Sequence, residues 1–309
     1  MKRKIYILLC IFSLILVSRN GFAQRDSVDK AASTLKNQSL PPEKRIKQAL
    51  EIIDKAITNP KSANDGYSWY VRGFIYKEWY KTFEAQNKNS KTRLNAVEYL
   101  KKSYDLFAKD TSASAKEYKD GIKGSLRYLA STFYNDAGTM LDTVHYEMAF
   151  QYYKKFKEFM LIAEPGYNLR PREVEFKTNL ADQYGKIFRN NIRANKKFYG
   201  LAEVTYKEVL SIDPDFYGAN YNLAMLYYNY GVDIINSMDL DLPIVDVDKI
   251  QDEAKENFKK ALPYMLKAYS LNPKRREVLI ALQGIYFSLY EFEKSDEFKA
   301  KLEKLEKNK

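Results

Sequence analysis

Cysteine is nearly absent from this chain of 309 residues: Cys10 stands alone, inside a leading apolar run. Beyond that run there is no thiol, so intramolecular disulfides, thiolate metal sites and cysteine nucleophiles are excluded. Histidine is as scarce, with His145 the only one, and no motif-borne serine accompanies it; a Ser-His-Asp arrangement cannot be drawn from the spacing. Glycine-rich phosphate or dinucleotide loops are missing too. Runs of alternating Val, Ile and Thr, which strands require, are not found. With only nine prolines and twelve glycines, little interrupts the helix formers Lys, Leu, Ala and Glu. The expected fold class is all-α.

What is present begins with a basic start. Lys2, Arg3 and Lys4 precede an apolar run from Ile5 to Val17, followed by a short polar stretch and Gly21-Phe22-Ala23. This is the layout of a secretory signal, with cleavage expected before Gln24. The run is too short for the ~20 residues of a membrane span, so no stable span is expected after cleavage. Leu9 precedes Cys10 where a lipoprotein signal needs a small residue, which argues against lipid attachment. The expected location is therefore outside the cytoplasm, periplasmic or at the surface of a Gram-negative cell. Of the net charge of +11, Lys2, Arg3, Lys4 and Arg19 belong to the signal, and the remaining basic residues alternate with acids. A solvated helix surface explains that pattern better than a nucleic-acid footprint, and no nucleic-acid partner is expected.

Residues 24–42 are polar and weakly patterned and read as a tether. From Glu43 the apolar positions Ile46, Ala49, Leu50, Ile53 and Ile57 recur at steps of three and four, one buried stripe on a helix that Asn59-Pro60 should stop. A second helix carries Trp69, Gly73 and Tyr76, large, small and large at spacings of four and three. Ala96, Leu100 and Tyr104 follow on a partner helix beyond the polar loop Gln86–Thr92.

This lettering resembles the tetratricopeptide repeat, a helix pair with large, small and aromatic residues at positions 4, 8 and 11 of its first helix and Ala at 20 of its second. Trp69, Gly73 and Tyr76 match 4, 8 and 11, although Arg72 stands where Leu is usual. Phe133, Ala137, Tyr146, Ala149 and Tyr153 repeat the pattern, with Asp136 and Met140 as departures. Leu180, Ala181 and Tyr184 open a unit with a longer first helix. Leu223, Ala224 and Tyr227 open the next, closed by Ala261, Ala268 and Asn272-Pro273 after an insertion at 232–249. Leu279, Leu282 and Tyr286 open the last. The resemblance spans 43–309 as five pairs with one preceding helix, and it implies a superhelical solenoid with a concave inner face.

For function the resemblance implies holding a peptide or protein partner without catalysis, cofactor or metal. Its inner-face positions fall on Tyr70, Phe74, Tyr134, Tyr221, Met225, Tyr228, Ile280 and Phe287, an aromatic and apolar set. Two other functions stay open on the sequence: glycan capture, favoured by aromatic richness, and wall lysis by paired carboxylates. Asp239, Asp241, Asp246 and Asp248 lack the glycine and terminal glutamate of a calcium loop, and read as polar loop residues ahead of a helix.

Overall fold

The computed structural model describes residues 25–239 and 241–307, and among these all regular structure is helical. The signal segment and its cleavage point lie outside the described residues. The chain divides into two compact units, one comprising residues through Ala137 with Phe150–Tyr167, the other Gly138–Ala149 with Asn168–Lys309. Helices follow in order: α1 (25–36), α2 (Pro42–Ala56), α3 (Pro60–Ala63), α4 (Gly66–Trp79), α5 (Lys91–Leu106), α6 (Ala113–Thr139), α7 (Tyr146–Ala163), α8 (Arg170–Asn190), α9 (Lys196–Ile212), α10 (Tyr217–Asn236), α11 (Ile244–Leu271), α12 (Arg276–Ser288) and α13 (Phe292–Lys307). From α4 onward they pair as the repeat pattern requires: α4 with α5, α8 with α9, α10 with α11 and α12 with α13 pack side by side. α6 meets α7 through Phe133, whose ring lies 5.9 Å from Tyr152 and 5.4 Å from Phe159.

In the first unit, local signals set the helix ends. Pro42 starts α2 where its missing N–H costs nothing. Asp65 caps α4, accepting from the Ser68 backbone at 2.9 Å, and Ser90 caps α5, accepting from Arg93 at 2.9 Å. Asn59-Pro60 does more than stop α2: Asn59 caps the single turn α3, with Pro60 at its first position. A π-helical turn, Tyr80–Glu84, extends α4. The Glu84 carboxylate gathers bonds from Trp79 Nε1 (2.9 Å), Ser90 Oγ (2.6 Å) and Thr92 Oγ1 (3.0 Å), tying that turn to the start of α5.

The repeat's small position is used as expected: a Cβ added to Gly73 would lie 2.7 Å from Leu100 Cγ, so glycine alone lets α4 and α5 approach this closely. Two of the three departures from the repeat pattern, Arg72 and Asp136, carry ion pairs. Arg72 bonds Asp54 of α2 at 3.0 Å and lies 4.2 Å from the centre of the Tyr99 ring. Asp136 accepts from Arg93 at 2.6 Å. Arg93 is 0% exposed, donates also to the Lys88 carbonyl at 2.6 Å and stands 3.9 Å over the Phe133 ring. One buried guanidinium thus joins α5, its preceding loop and α6.

The tether reading of residues 24–42 is corrected. Residues 25–36 form α1, with Val28 and Ala31 fully buried against Ala49, Ile53, Val71 and Ile75 of α2 and α4. Its apolar stripe is too short to stand out in the sequence; burial against two neighbours stabilises the helix more than propensity does.

In the second unit one continuous core runs from Val174 through Leu223, Met265 and Ile285 to Phe298. The insertion is narrower than the expected 232–249. α10 continues to Asn236, with Ile234 packed on the Phe188, Phe198 and Tyr230 cluster, and α11 begins at Ile244, leaving residues 237–243 between the helices. A Cβ at Gly231 would lie 2.6 Å from Phe258 Cε1, so the lengthened helices remain in close contact. Asp246 lies in the first turn of α11 and pairs with Lys249 at 2.9 Å.

Candidate functional site

The first helices of the last two pairs, α10 and α12, build a hollow of about 570 Å³ in the second unit. Five residues expected on the inner face meet in its lining: Tyr221, Met225 and Tyr228 from α10, Ile280 and Phe287 from α12. They arrive together because positions 5, 9 and 12 of a repeat's first helix share one face, and neighbouring first helices lie side by side. Gly284 provides the room, since a Cβ there would lie 2.6 Å from the Tyr228 hydroxyl oxygen.

One end of the hollow is polar. Tyr217 stacks on Tyr221 with ring centres 5.9 Å apart and donates to Glu277 at 3.3 Å, and Glu277 also accepts from Arg275 at 3.2 Å. Burial, reinforced by the Glu277 charge, pushes the Tyr217 hydroxyl up to about 12, so it remains a hydrogen-bond donor at neutral pH. The other end is apolar and open. Phe287 is 62% exposed, Tyr290 69% and Phe292 52%, with Phe292 5.5 Å from Phe287 and 6.2 Å from Tyr290. Tyr290 adopts φ 63°, a left-handed turn that joins α12 to α13.

The remaining expected residues lie in the first unit. Tyr70 and Phe74 line a separate hollow of about 680 Å³ among α1, α2, α4 and α6. Tyr134 lines neither hollow: its ring packs 4.9 Å from Phe156 and 6.4 Å from Tyr153. Repeat register does not single out Glu277 of the second hollow, Tyr290 and Phe292 next to its Phe287, or Tyr118 and Arg45 of the first.

His145 lies at the start of α7, half exposed, where Asp142 accepts from its backbone N–H at 2.7 Å and approaches Nδ1 at 2.9 Å. The hydrogen bonds from His145 and Val144 hold the Asp142 carboxyl down at about 2. This is a turn ahead of a helix. A buried polar contact of another kind joins α8, α9 and α10: Asp182 accepts from the Tyr206 hydroxyl and, at 2.9 Å, from Asn222 Nδ2. Burial raises the Asp182 carboxyl above its ordinary value against the opposing pull of those bonds and of Lys186 and Arg189. Among the described residues no helix is long and apolar enough to cross a membrane.

No known family's sequence profile matches the chain, and no curated protein matches it. Solved structures similar to it include PilW, a widely conserved type IV pilus biogenesis factor, at 17% identity over 91% of this chain and 92% of that one, with a TM-score of 0.33. Human IFIT1, solved as a dimer with m7Gppp-AAAA, is 14% identical over 90% of this chain, which spans 50% of its length, with a TM-score of 0.35. The S. pombe nuclear import adaptor Nro1 is 11% identical over 89% of this chain and 90% of that one, with a TM-score of 0.31. Likeness of this degree bears on neither partner nor activity.

Proposed function

We propose that this protein is a non-catalytic scaffold of the cell envelope that holds an extended peptide or a short amphipathic helix of a partner protein in the hollow between α10 and α12. The observation that carries this reading is the run of uncovered aromatics at the mouth of an apolar hollow. Phe287 lines the hollow with Ile280, Met225 and Tyr228, and the exposed rings of Phe292 and then Tyr290 continue from it. A contiguous apolar surface is costly to leave in water and is the usual mark of an interaction site. Tyr and Phe provide large contact area for few rotatable bonds, and tyrosine adds a hydroxyl for the partner's backbone.

A photo-crosslinking residue placed at Phe287 in the source cell should give one reproducible protein adduct, while the same residue at exposed Glu256 on α11 should not. Replacing Tyr221, Ile280 and Phe287 together by Ala should abolish binding of the captured partner with helicity unchanged. Retained binding by that folded triple variant would refute the site. A positive glycan array lost in the same variant would turn the reading to sugar capture. The envelope location rests on the basic start and apolar run, and an N-terminus at Gln24 on protein recovered outside the cytoplasm is its expected signature; intact Met1 would refute it.

A further inference from the structure

The hollow of the first unit has a different chemistry. Its floor is aromatic: Tyr67, Tyr70 and Phe74 follow one face of α4, and Tyr118 of α6 closes on them, 5.0 Å from Tyr67 and 5.2 Å from Tyr70 between ring centres. Its volume of about 680 Å³ is that of a small-ligand site. Four charged side chains line it: Lys36, Arg45, Glu78 and Glu117. Glu78 is engaged by Lys77 at 2.9 Å. No side-chain hydrogen bond or ion pair joins Lys36, Arg45 or Glu117 to any described residue. The Arg45 Nε is buried with no acceptor among the described residues.

A guanidinium with a buried donor left unmatched is unfavourable in a folded chain unless something else accepts from it. The uncommitted groups comprise two cations and one acid, so the charge that completes the hollow is a single negative one. A doubly charged phosphate would overshoot that balance and meet Glu117. A carboxylate does not, and its two oxygens suit the planar fork of an arginine. The aromatic floor calls for an apolar body on the same molecule.

We infer that the hollow enclosed by α1, α2, α4 and α6 binds a monocarboxylate with an apolar body, its carboxylate held by Arg45 and Lys36 and its body laid on Tyr67, Tyr70, Phe74 and Tyr118. The acid is free or is the C-terminal residue of a peptide; both present the same group. This site is separate from the one proposed between α10 and α12 and does not depend on it.

The test is calorimetric titration of the full chain with three probes: acetyl-Gly-Leu-Phe with a free carboxylate, the same peptide as its C-terminal amide, and 4-phenylbutyrate. The free peptide or phenylbutyrate should bind at least tenfold more tightly than the amide. Whichever of the two acids binds more tightly identifies the source. Arg45→Met, which keeps the aliphatic stem, should remove the preference for acid over amide. Lys36→Met, at an exposed position whose replacement leaves the fold intact, should weaken acid binding about threefold or more, and Glu117→Gln should strengthen it. Tyr221→Ala with Phe287→Ala should leave acid binding untouched, so this inference and the scaffold reading fail separately. Equal binding of acid and amide, a preference that survives both cation replacements, or no heat from any probe at millimolar concentration would overturn the proposal.

Discussion

Replacing Arg93 with Met tests how the first unit is held together. The methionine stem keeps most of the packing on Phe133, but the 2.6 Å bond to Asp136 and the 2.6 Å bond to the Lys88 carbonyl are lost. The carbonyl retains a donor, because the Tyr152 hydroxyl also reaches it at 2.8 Å. The main cost is therefore the Asp136 carboxylate, 16% exposed and deprived of its guanidinium. Breaking a buried pair from one side costs about 3 to 5 kcal/mol, and the residual exposure of Asp136 sets the expectation at the low end, ~3 kcal/mol. Asp136→Leu alone, which restores the residue usual at that repeat position, should cost at least ~3 kcal/mol because it leaves the cation buried. The double variant removes both charges and is expected within ~1 kcal/mol of the original protein, as apolar replacements of buried pairs often are. Urea unfolding followed by circular dichroism, run on all four proteins, yields the coupling between the two residues. An Arg93→Met variant less than ~1 kcal/mol weaker than the original, or a double variant no better than either single one, would refute the reasoning.

Three further outcomes are expected. Gly73→Ala should destabilise by ~1 to 3 kcal/mol, because its Cβ meets Leu100 at 2.7 Å, whereas Gly200→Ala, inside α9 with nothing within 4 Å of the new Cβ, should stabilise by about 0.5 to 1 kcal/mol; equal melting temperatures would count against both. Asp182→Asn should be as stable as the original or more so at pH 7: burial raises the Asp182 carboxyl in the folded state, so its contribution to stability is largest below the unfolded carboxylate value and is lost as pH rises through the raised folded value. Melting curves of the two proteins should therefore converge as pH falls towards ~4, and a gap that widens in acid would reverse the assignment. Gly284→Val should weaken partner capture while leaving helicity unchanged, because the added side chain takes the space of the Tyr228 hydroxyl.

Much of the helical plan was legible because packing repeats itself along the chain. Gly73 with Leu100, and Leu223 with Ala224 and Tyr227, announced helix contacts that the structure contains. The bringing together of Tyr221, Met225, Tyr228, Ile280 and Phe287 also followed from repeat register. What escaped the sequence depends on contacts between distant segments. α1 carries too few apolar residues to declare itself, and its helical state depends on α2 and α4 being there to cover it. The hollow of the first unit needs Arg45, Tyr70 and Tyr118 from three helices, none of them at a shared spacing. Arg72 and Asp136 read as flaws in a pattern, because their partners, Asp54 and Arg93, belong to neighbouring helices and to no fixed repeat position.

Those two ion pairs bear on how such a chain can change in length. Arrays of like units grow and shrink in a lineage by unequal recombination, which inserts or removes a whole helix pair and succeeds when any unit fits beside any other. Here the α4–α5 pair addresses Asp54 on one side through Arg72 and Asp136 on the other through Arg93. A copied pair would set an arginine against a surface that lacks its aspartate, and a deleted one would take the guanidinium away from both aspartates. Descendants of this gene should vary freely in the 237–243 connection while keeping the number and order of pairs between α2 and α6 fixed.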